Sequence, residues 1–155
     1  MDALQDNPGD LHILLVDSEG PVPELSSSQT MDAKGHMAYL EKRDNWRFLS
    51  VDPRCVHLMA QCMEAWLVAD ADALVAFYGQ YFKRTRLPSR WNLEEEAKSD
   101  ILDKLTSATK DHRIPKGTYA KITHASQLLR LIDPQKVSER CPRFQFLVNW
   151  LEETM

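Results

Sequence analysis

The sequence lacks several features that would assign it to a specialised class of protein. No stretch approaches the ~20 consecutive apolar residues of a transmembrane helix, so we expect no membrane association. Residues 1–10 are acidic and contain no apolar segment, which argues against a signal or transit peptide there. The 3 cysteines form neither an even set nor a Cys-x-x-Cys pair. Reduced thiols and a cytoplasmic location are therefore expected.

Excess positive charge is absent as well. The net charge is −4, which argues against a generally basic nucleic-acid-binding surface but leaves room for a local basic patch. A chain of 155 residues with 43% hydrophobic residues fits one ordinary globular domain. We expect residues 1–10 to form a flexible tail, because Asn7-Pro8-Gly9 is typical of loops. Residues 11–155 are expected to form a single α/β domain.

An apolar run near the start of the chain ends in two acidic residues. Residues 12–16 predict a buried strand, and Asp17 and Glu19 follow it directly. If the backbone stays extended, residues two apart share a face, so the two carboxylates could hold one divalent cation. The alternative interpretation is a solvated acidic turn.

A second strand is predicted at about 56–61, where apolar and polar residues alternate. Glu64 follows it as a lone acid among apolar neighbours. Burial of an unpaired carboxylate costs several kcal/mol, so we expect Glu64 to meet a metal, a cation or backbone donors unless it points to the surface. Because parallel strands end at the same edge of a sheet, Glu64 should lie near Asp17 and Glu19, with a divalent ion or Lys121 between them.

The remaining pattern is mostly helical. We predict a polar loop at 23–35 and helices at 36–43, 71–78 (capped by Asp70, ended by Gly79), 100–110 (capped by Ser99), 121–132, 134–140 (capped by Asp133) and 142–153. The fold class is α/β, with a small, mostly parallel sheet drawn from the first 62 residues or so and a predominantly helical C-terminal half. The predicted core consists of Leu14, Val16, Leu58, Trp66, Leu67, Phe77, Leu102, Leu105, Leu128, Leu131 and Leu147.

Two basic stretches are candidates for anion contacts. Lys83-Arg84-Thr85-Arg86 and Arg90 could bind phosphates, but Glu94-Glu95-Glu96 follows at once and could neutralise them. The loop at 110–124 offers Lys110, Lys116 and Lys121 together with a glycine and a tyrosine, a composition that suits phosphate binding. A plain solvated loop is the alternative.

Ordered blocks along most of the chain carry a resemblance to a known family. They are Leu15-Val16-Asp17-Ser18-Glu19-Gly20-Pro21-Val22, His57-Leu58-Met59-Ala60-Gln61-Cys62-Met63-Glu64-Ala65-Trp66, Ala69-Asp70, Phe77-Tyr78-Gly79-Gln80, Ala108-Thr109-Lys110, Lys116-Gly117, Tyr119-Ala120-Lys121 and Ile132-Asp133-Pro134. These blocks resemble the uncharacterised bacterial domain-of-unknown-function family 4276, which is itself similar to metal-dependent TOPRIM-type domains. The opening strand also resembles that of a response-regulator receiver domain, but the helical pattern after Asp70 departs from that family.

The resemblance implies a partial TOPRIM-like fold and two alternative functions. In the first, the chain is a Mg²⁺- or Mn²⁺-dependent phosphodiester hydrolase acting on nucleic acid. Asp17, Glu19 and Glu64 would then hold metal, and Lys110, Lys116 or Lys121 would bind phosphate. Family members usually carry an upstream strand that supplies a further Glu, so we expect this chain to represent the C-terminal part of a larger domain. In the second, it is a non-catalytic accessory protein that works with an ATPase partner.

Overall fold

The computed structural model describes residues 11–25, 29–48 and 51–155. These residues form two strands and seven helices. The strands are β1 (Leu14–Asp17) and β2 (Val56–Met59), and the helices are α1 (Gln29–Asp44), α2 (Glu64–Ala69), α3 (Ala71–Tyr78), α4 (Lys98–Thr109), α5 (Lys121–Leu129), α6 (Pro134–Arg140) and α7 (Pro142–Thr154). None of these helices has the length and apolar character needed to cross a bilayer. The expected flexible tail at 1–10 lies outside the described residues.

The two strands form a parallel sheet, which confirms the predicted α/β class. The register pairs Leu14 with Val56 and Asp17 with Met59. Within the described part of the chain, no strand follows Met59, so the helices do dominate the C-terminal half. Both strands end at one edge of the sheet, as parallel neighbours must.

Helix α1 covers one face of the sheet. Leu40, Val56 and Leu58 are buried there, and Leu14 and Val16 pack against them partly buried. The helix begins at Gln29, earlier than the predicted 36–43, so the expected loop at 23–35 is partly helical. The apolar pattern missed residues 29–35 because the inward residue there is the small Ala33, which is 1% exposed, and because Gly35 is typical of loops.

On the other face of the sheet, β2 is covered by a helix and β1 is not. The His57 ring packs against the rings of Phe146 and Trp150 in α7, with centroids 5.6 and 4.9 Å away. On β1 the same face is open, with Ile13 and Leu15 exposed by 40% and 37%. The prediction of a fully buried first strand is therefore wrong for this face, because α7 reaches the second strand but not the first.

The helices after Met63 enclose the larger core, and most predicted core residues are buried. Leu102 is only partly buried. Leu131 is 53% exposed, so its assignment to the core is wrong. The cause is that α5 ends at Leu129 rather than at 132, which removes Leu131 from the helical phase on which its prediction depended.

Helix ends follow the predicted capping residues in three cases out of four. Asp70 accepts from the Asp72 and Ala73 N–H groups at the start of α3, and Asp133 caps α6 in the same way. Gly79 ends α3 with a φ of 81°. The predicted Ser99 cap is wrong, because α4 begins two residues earlier than predicted, at Lys98, without a side-chain cap.

Two leucines of the predicted core provide a matched stability test. Leu128 is 0% exposed and Leu131 is 53% exposed. Leu128→Ala should lower the free energy of unfolding by about 2–5 kcal/mol, because it leaves a cavity in the core. Leu131→Ala should change it by less than about 0.5 kcal/mol. Urea unfolding measures both values, and equal losses in the two variants would contradict this packing.

His57 should make the stability depend on pH. Burial, aided by the neighbouring His36, lowers the pKa of His57 from 6.5 to about 4. In the unfolded chain the imidazole regains its ordinary pKa, so the stabilisation is present above pH 6.5 and is lost as the pH falls toward 4. The loss from this one group is up to about 3 kcal/mol.

Unfolding free energies at pH 7 and pH 4.5 measure this loss in the wild type and in His57→Gln. The variant should show a clearly smaller decrease between the two pH values, whatever its absolute stability. An unchanged decrease would show that other groups cause the acid sensitivity.

Candidate functional site

The two strand ends are locked together where the chain leaves the sheet. The Ser18 N–H donates to the Met59 carbonyl at 2.9 Å, and the Glu19 N–H donates to the Gln61 carbonyl at 3.0 Å. The Ser18 hydroxyl accepts from the Gln61 N–H at 2.7 Å. Glu19 and Gln61 have φ values of 61° and 57°. Such left-handed conformations are costly for non-glycine residues and cluster at functional sites.

Asp17 is held by its backbone and by one of its two carboxylate oxygens. Its Oδ1 accepts from the Met63 N–H at 2.8 Å. Its carbonyl accepts from Arg43 Nη1 at 2.7 Å, and the neighbouring Ser18 carbonyl accepts from the Tyr39 hydroxyl at 2.7 Å. Arg43 and Tyr39 both belong to α1. This clamp leaves Asp17 Oδ2 as the oxygen that faces the site.

Glu64 opens α2 and is completely buried. Its Oε1 accepts from the Tyr119 hydroxyl at 3.0 Å. Its Oε2 is buried without a hydrogen-bond partner. An unsatisfied carboxylate oxygen in a protein interior is costly, and most such atoms are bonded to protein, water or an ion. Glu64 Oε2 is therefore the acceptor in this region that no protein donor satisfies.

Lys121 joins the two acids. Its Nζ lies 3.4 Å from Asp17 Oδ2 and 3.4 Å from Glu64 Oε1, so these two oxygens are at most about 6.8 Å apart. Burial disfavours the charged ammonium, but the Glu64 and Asp17 carboxylates outweigh that effect and raise the pKa of Lys121. The expected neighbourhood of Asp17, Glu64 and Lys121 is thus present at the strand edge.

The surroundings of Glu64 and Asp17 carry a negative potential in an apolar setting. Burial and the Glu64 carboxylate raise the pKa of Tyr119. Burial, Glu64 and Asp17 raise the pKa of the Cys62 thiol to about 12. Both groups are therefore protonated at neutral pH. Cys62 is unsuited to act as a nucleophile, and Tyr119 acts as a hydrogen-bond donor.

Glu19 has a different partner from this pair. Its carboxylate forms an ion pair with Lys98 at the rim of the site and is about half exposed, at 52%. Gln61 helps to place Lys98, because its side-chain carbonyl accepts from the Lys98 N–H at 3.2 Å. Since Glu19 adopts a left-handed conformation, the extended backbone that would align it with Asp17 is not maintained.

The other predicted phosphate ligands are spread over the surface. Lys116 Nζ lies over the Phe77 ring, 4.3 Å from its centroid, and Lys110 is exposed at the end of α4. The earlier basic block is largely neutralised, since Arg84 pairs with Asp72 and Arg90 pairs with the predicted acidic block. Of the three candidate lysines, Lys121 is the one that contacts the acids.

The site therefore contains two carboxylates, one ammonium and one phenol at the carboxyl edge of the strand pair. Across residues 11–25, 29–48 and 51–155, no group of three or more His, Cys, Asp or Glu side chains could hold a metal ion. Sequence reasoning missed Ser18, Tyr39, Arg43 and Lys98, whose partners lie far along the chain. No local pattern could have identified these contacts.

The fold and the site define an α/β protein with an acid–lysine cluster at the end of a parallel strand pair. A family model described as a domain of unknown function, DUF4276, matches residues 1–152, and the chain belongs to that family. Neither a curated protein nor a solved structure matched the chain.

The Tyr119 hydrogen bond can be tested by stability. Tyr119→Phe removes the phenolic donor to Glu64 Oε1 and should lower the free energy of unfolding by about 1.5–3 kcal/mol, since the acceptor is charged. In the Glu64→Gln background the same substitution should cost less, because the acceptor is then neutral. Urea unfolding of the two single variants and the double variant gives the coupling, and additive losses would exclude the bond.

Proposed function

We propose that this protein is a divalent-metal-dependent phosphodiester hydrolase, with Asp17 and Glu64 as the metal ligands. The observation that carries the proposal is the buried Glu64 carboxylate, whose Oε2 has no partner while its Oε1 shares a cation with Asp17. Two acids from different elements that converge on one positive charge form a cation-binding arrangement. The resemblance to TOPRIM-type domains suggests the same chemistry, with nucleic acid as substrate.

The residues present fit Mg²⁺ or Mn²⁺. Mg²⁺ in phosphoryl-transfer sites is usually bound by one or two carboxylates, with the remaining positions filled by water and substrate phosphate. Asp17 and Glu64 supply such a pair of hard oxygen ligands. A bound divalent cation would polarise a phosphoryl oxygen as a Lewis acid. Glu19 is paired with Lys98 and does not contact Lys121, so it stands outside the proposed pair.

The other residues have positioning and electrostatic roles in this proposal. Tyr119 orients Glu64 through its hydrogen bond, and the Met63 N–H fixes Oδ1 of Asp17 so that Oδ2 faces the site. Arg43 and Tyr39 hold the backbone that carries Asp17. Lys121 would neutralise charge that develops on the phosphate, because its ammonium already lies at the acids and its stem reaches the surface.

A second candidate function is that of a non-catalytic accessory protein. It is favoured by apolar side chains that α5 and the turn after it leave in solvent: Ile122 is 96% exposed, Leu129 40% and Leu131 53%. Exposed apolar clusters often mark protein interfaces. An ATPase is the partner that the family resemblance suggests. In that case the acids and Lys121 would form a structural ion cluster.

Metal titration and a hydrolysis assay distinguish the two functions. Calorimetry with Mn²⁺ should show saturable binding that Asp17→Ala abolishes and Glu64→Gln weakens at least about tenfold, since each removes a charged ligand. Asp103→Asn, an exposed carboxylate on α4, is the matched control and should bind normally. Hydrolysis of bis(p-nitrophenyl) phosphate should require Mn²⁺ and follow the same order.

Glu19→Gln separates the predicted three-acid site from the two-acid site. The pair proposed above requires near-normal Mn²⁺ affinity in this variant, whereas a loss equal to that of Asp17→Ala would place Glu19 among the ligands. If the wild type gives no binding heat, the hydrolase proposal is wrong and the accessory function is the better explanation.

A further inference from the structure

We infer that the Lys121 ammonium and the divalent cation compete for the same two carboxylates, and that a phosphodiester recruits the cation by giving Lys121 a new partner. This inference rests on the proposed function and adds a regulatory step to it. The metal and the substrate would then bind cooperatively, with Lys121 as the residue that couples them.

The geometry supports the competition. Lys121 Nζ is 3.4 Å from an oxygen of each acid, so its charge already contacts the two oxygens that a shared cation would bind. A Mg²⁺ ion needs oxygens at about 2.0–2.1 Å. An ammonium and a divalent ion that contact the same two oxygens would overlap or repel each other strongly. Metal binding to this pair therefore requires Lys121 to move.

The approach to the acids supports the same conclusion. The side chain of Glu64 is 1% exposed and that of Asp17 is 16% exposed, whereas that of Lys121 is 52% exposed. Lys121 thus reaches the acids from the solvent side, and an ion that enters from solvent meets the lysine first. Glu64 Oε2, the unpartnered atom, is itself shielded from solvent.

Lys121 can exchange with an incoming cation. Its two contacts, at 3.4 Å, are longer than the ~2.7–2.9 Å of strong charge-assisted hydrogen bonds. Its side chain is half exposed, and a divalent ion that replaces it supplies the positive charge that the buried Glu64 carboxylate needs. Lys121 therefore contacts the acids without a short hydrogen bond, whereas Arg43 and Tyr39 each donate a hydrogen bond of 2.7 Å.

Displacement leaves the Lys121 ammonium without its carboxylate partners. An anion bound beside the metal would give it a new partner. A phosphodiester held near the cation offers oxygens to the released ammonium. Each ligand then favours the other, and thermodynamic linkage makes the effect reciprocal. Without Lys121, the metal should bind more tightly, and its affinity should depend less on the phosphodiester.

The experiment measures Mn²⁺ affinity from the electron paramagnetic resonance signal of the free ion. Wild type, Lys121→Met and Lys98→Met are compared with and without dimethyl phosphate, a phosphodiester that lacks a good leaving group. Lys98→Met is the matched control, because it removes an equal charge from the rim of the site. The native Lys98 pairs with Glu19 rather than with Asp17 and Glu64. Binding of Mn²⁺ to dimethyl phosphate alone is subtracted.

We expect Lys121→Met to bind Mn²⁺ about tenfold more tightly than wild type, and Lys98→Met to change the affinity by less than about threefold. Dimethyl phosphate should tighten Mn²⁺ binding about fivefold or more in wild type and Lys98→Met but not in Lys121→Met. Equal or weaker binding by Lys121→Met would overturn the competition and leave the hydrolase proposal intact. Absence of Mn²⁺ binding in all three proteins would overturn the hydrolase proposal itself, and this inference with it.

Chemical labelling of the wild-type protein gives a second measurement that needs no variant. Brief acetylation with acetic anhydride, followed by peptide mass spectrometry, reports the accessibility of each lysine. Mn²⁺ with dimethyl phosphate should change the rate at which Lys121 is acetylated. The acetylation rates of Lys98 and Lys110 should stay unchanged. With Mn²⁺ alone, Lys121 should be labelled severalfold faster than in its absence. If saturating Mn²⁺ leaves Lys121 labelling unchanged, the lysine does not move and the inference is wrong.

Discussion

The buried carboxylate of Glu64 is the constraint on which the site depends. A charged oxygen in an apolar interior needs compensation, and here only one of its two oxygens receives it, from Tyr119 and Lys121. The parallel register of β1 and β2 brings Asp17 to the same place, and the paired turns after the strands prevent it from drifting away. Helix α1 adds a clamp on the backbone of Asp17. The fold thus positions the site directly, because the paired ends of the two strands carry it.

The position of this cluster was predictable because it depends on two general rules. Parallel strands end at a common edge, and a lone acid in an apolar stretch must find a partner. Those rules placed Glu64 beside Asp17 and named Lys121 as a candidate partner. They failed for Glu19, since residues two apart share a face only while the backbone is extended, and Glu19 has a φ of 61°. Its true partner, Lys98, is 79 positions further along the chain, where no local pattern could indicate it.

The helical half and the second strand were also largely predictable from periodicity and capping, and the errors have physical causes. Helix α1 was predicted too short because Gly35 and the serine run before it are typical of loops, while in the protein Ala33 packs inward and is 1% exposed. The first strand was predicted to be buried because its residues are apolar, but the burial of each face depends on which helix reaches it. Helix α7 covers His57 and stops short of Leu15. Tertiary coverage of this kind is not encoded in a single segment.

The charge of the cluster favours a functional explanation over a structural one. Asp17, Glu64 and Lys121 bring together two carboxylates and one ammonium, a formal net charge of −1, and Glu64 Oε2 has no hydrogen bond. A buried ion cluster that served stability alone would be neutral and fully bonded, and even then apolar residues would often stabilise the fold as well or better. An arrangement with one negative charge in excess, one oxygen unpartnered and its shared cation on a half-exposed side chain is instead suited to exchange. A divalent ion would neutralise the two carboxylates, while the released lysine would be available to an anion at the same edge of the sheet.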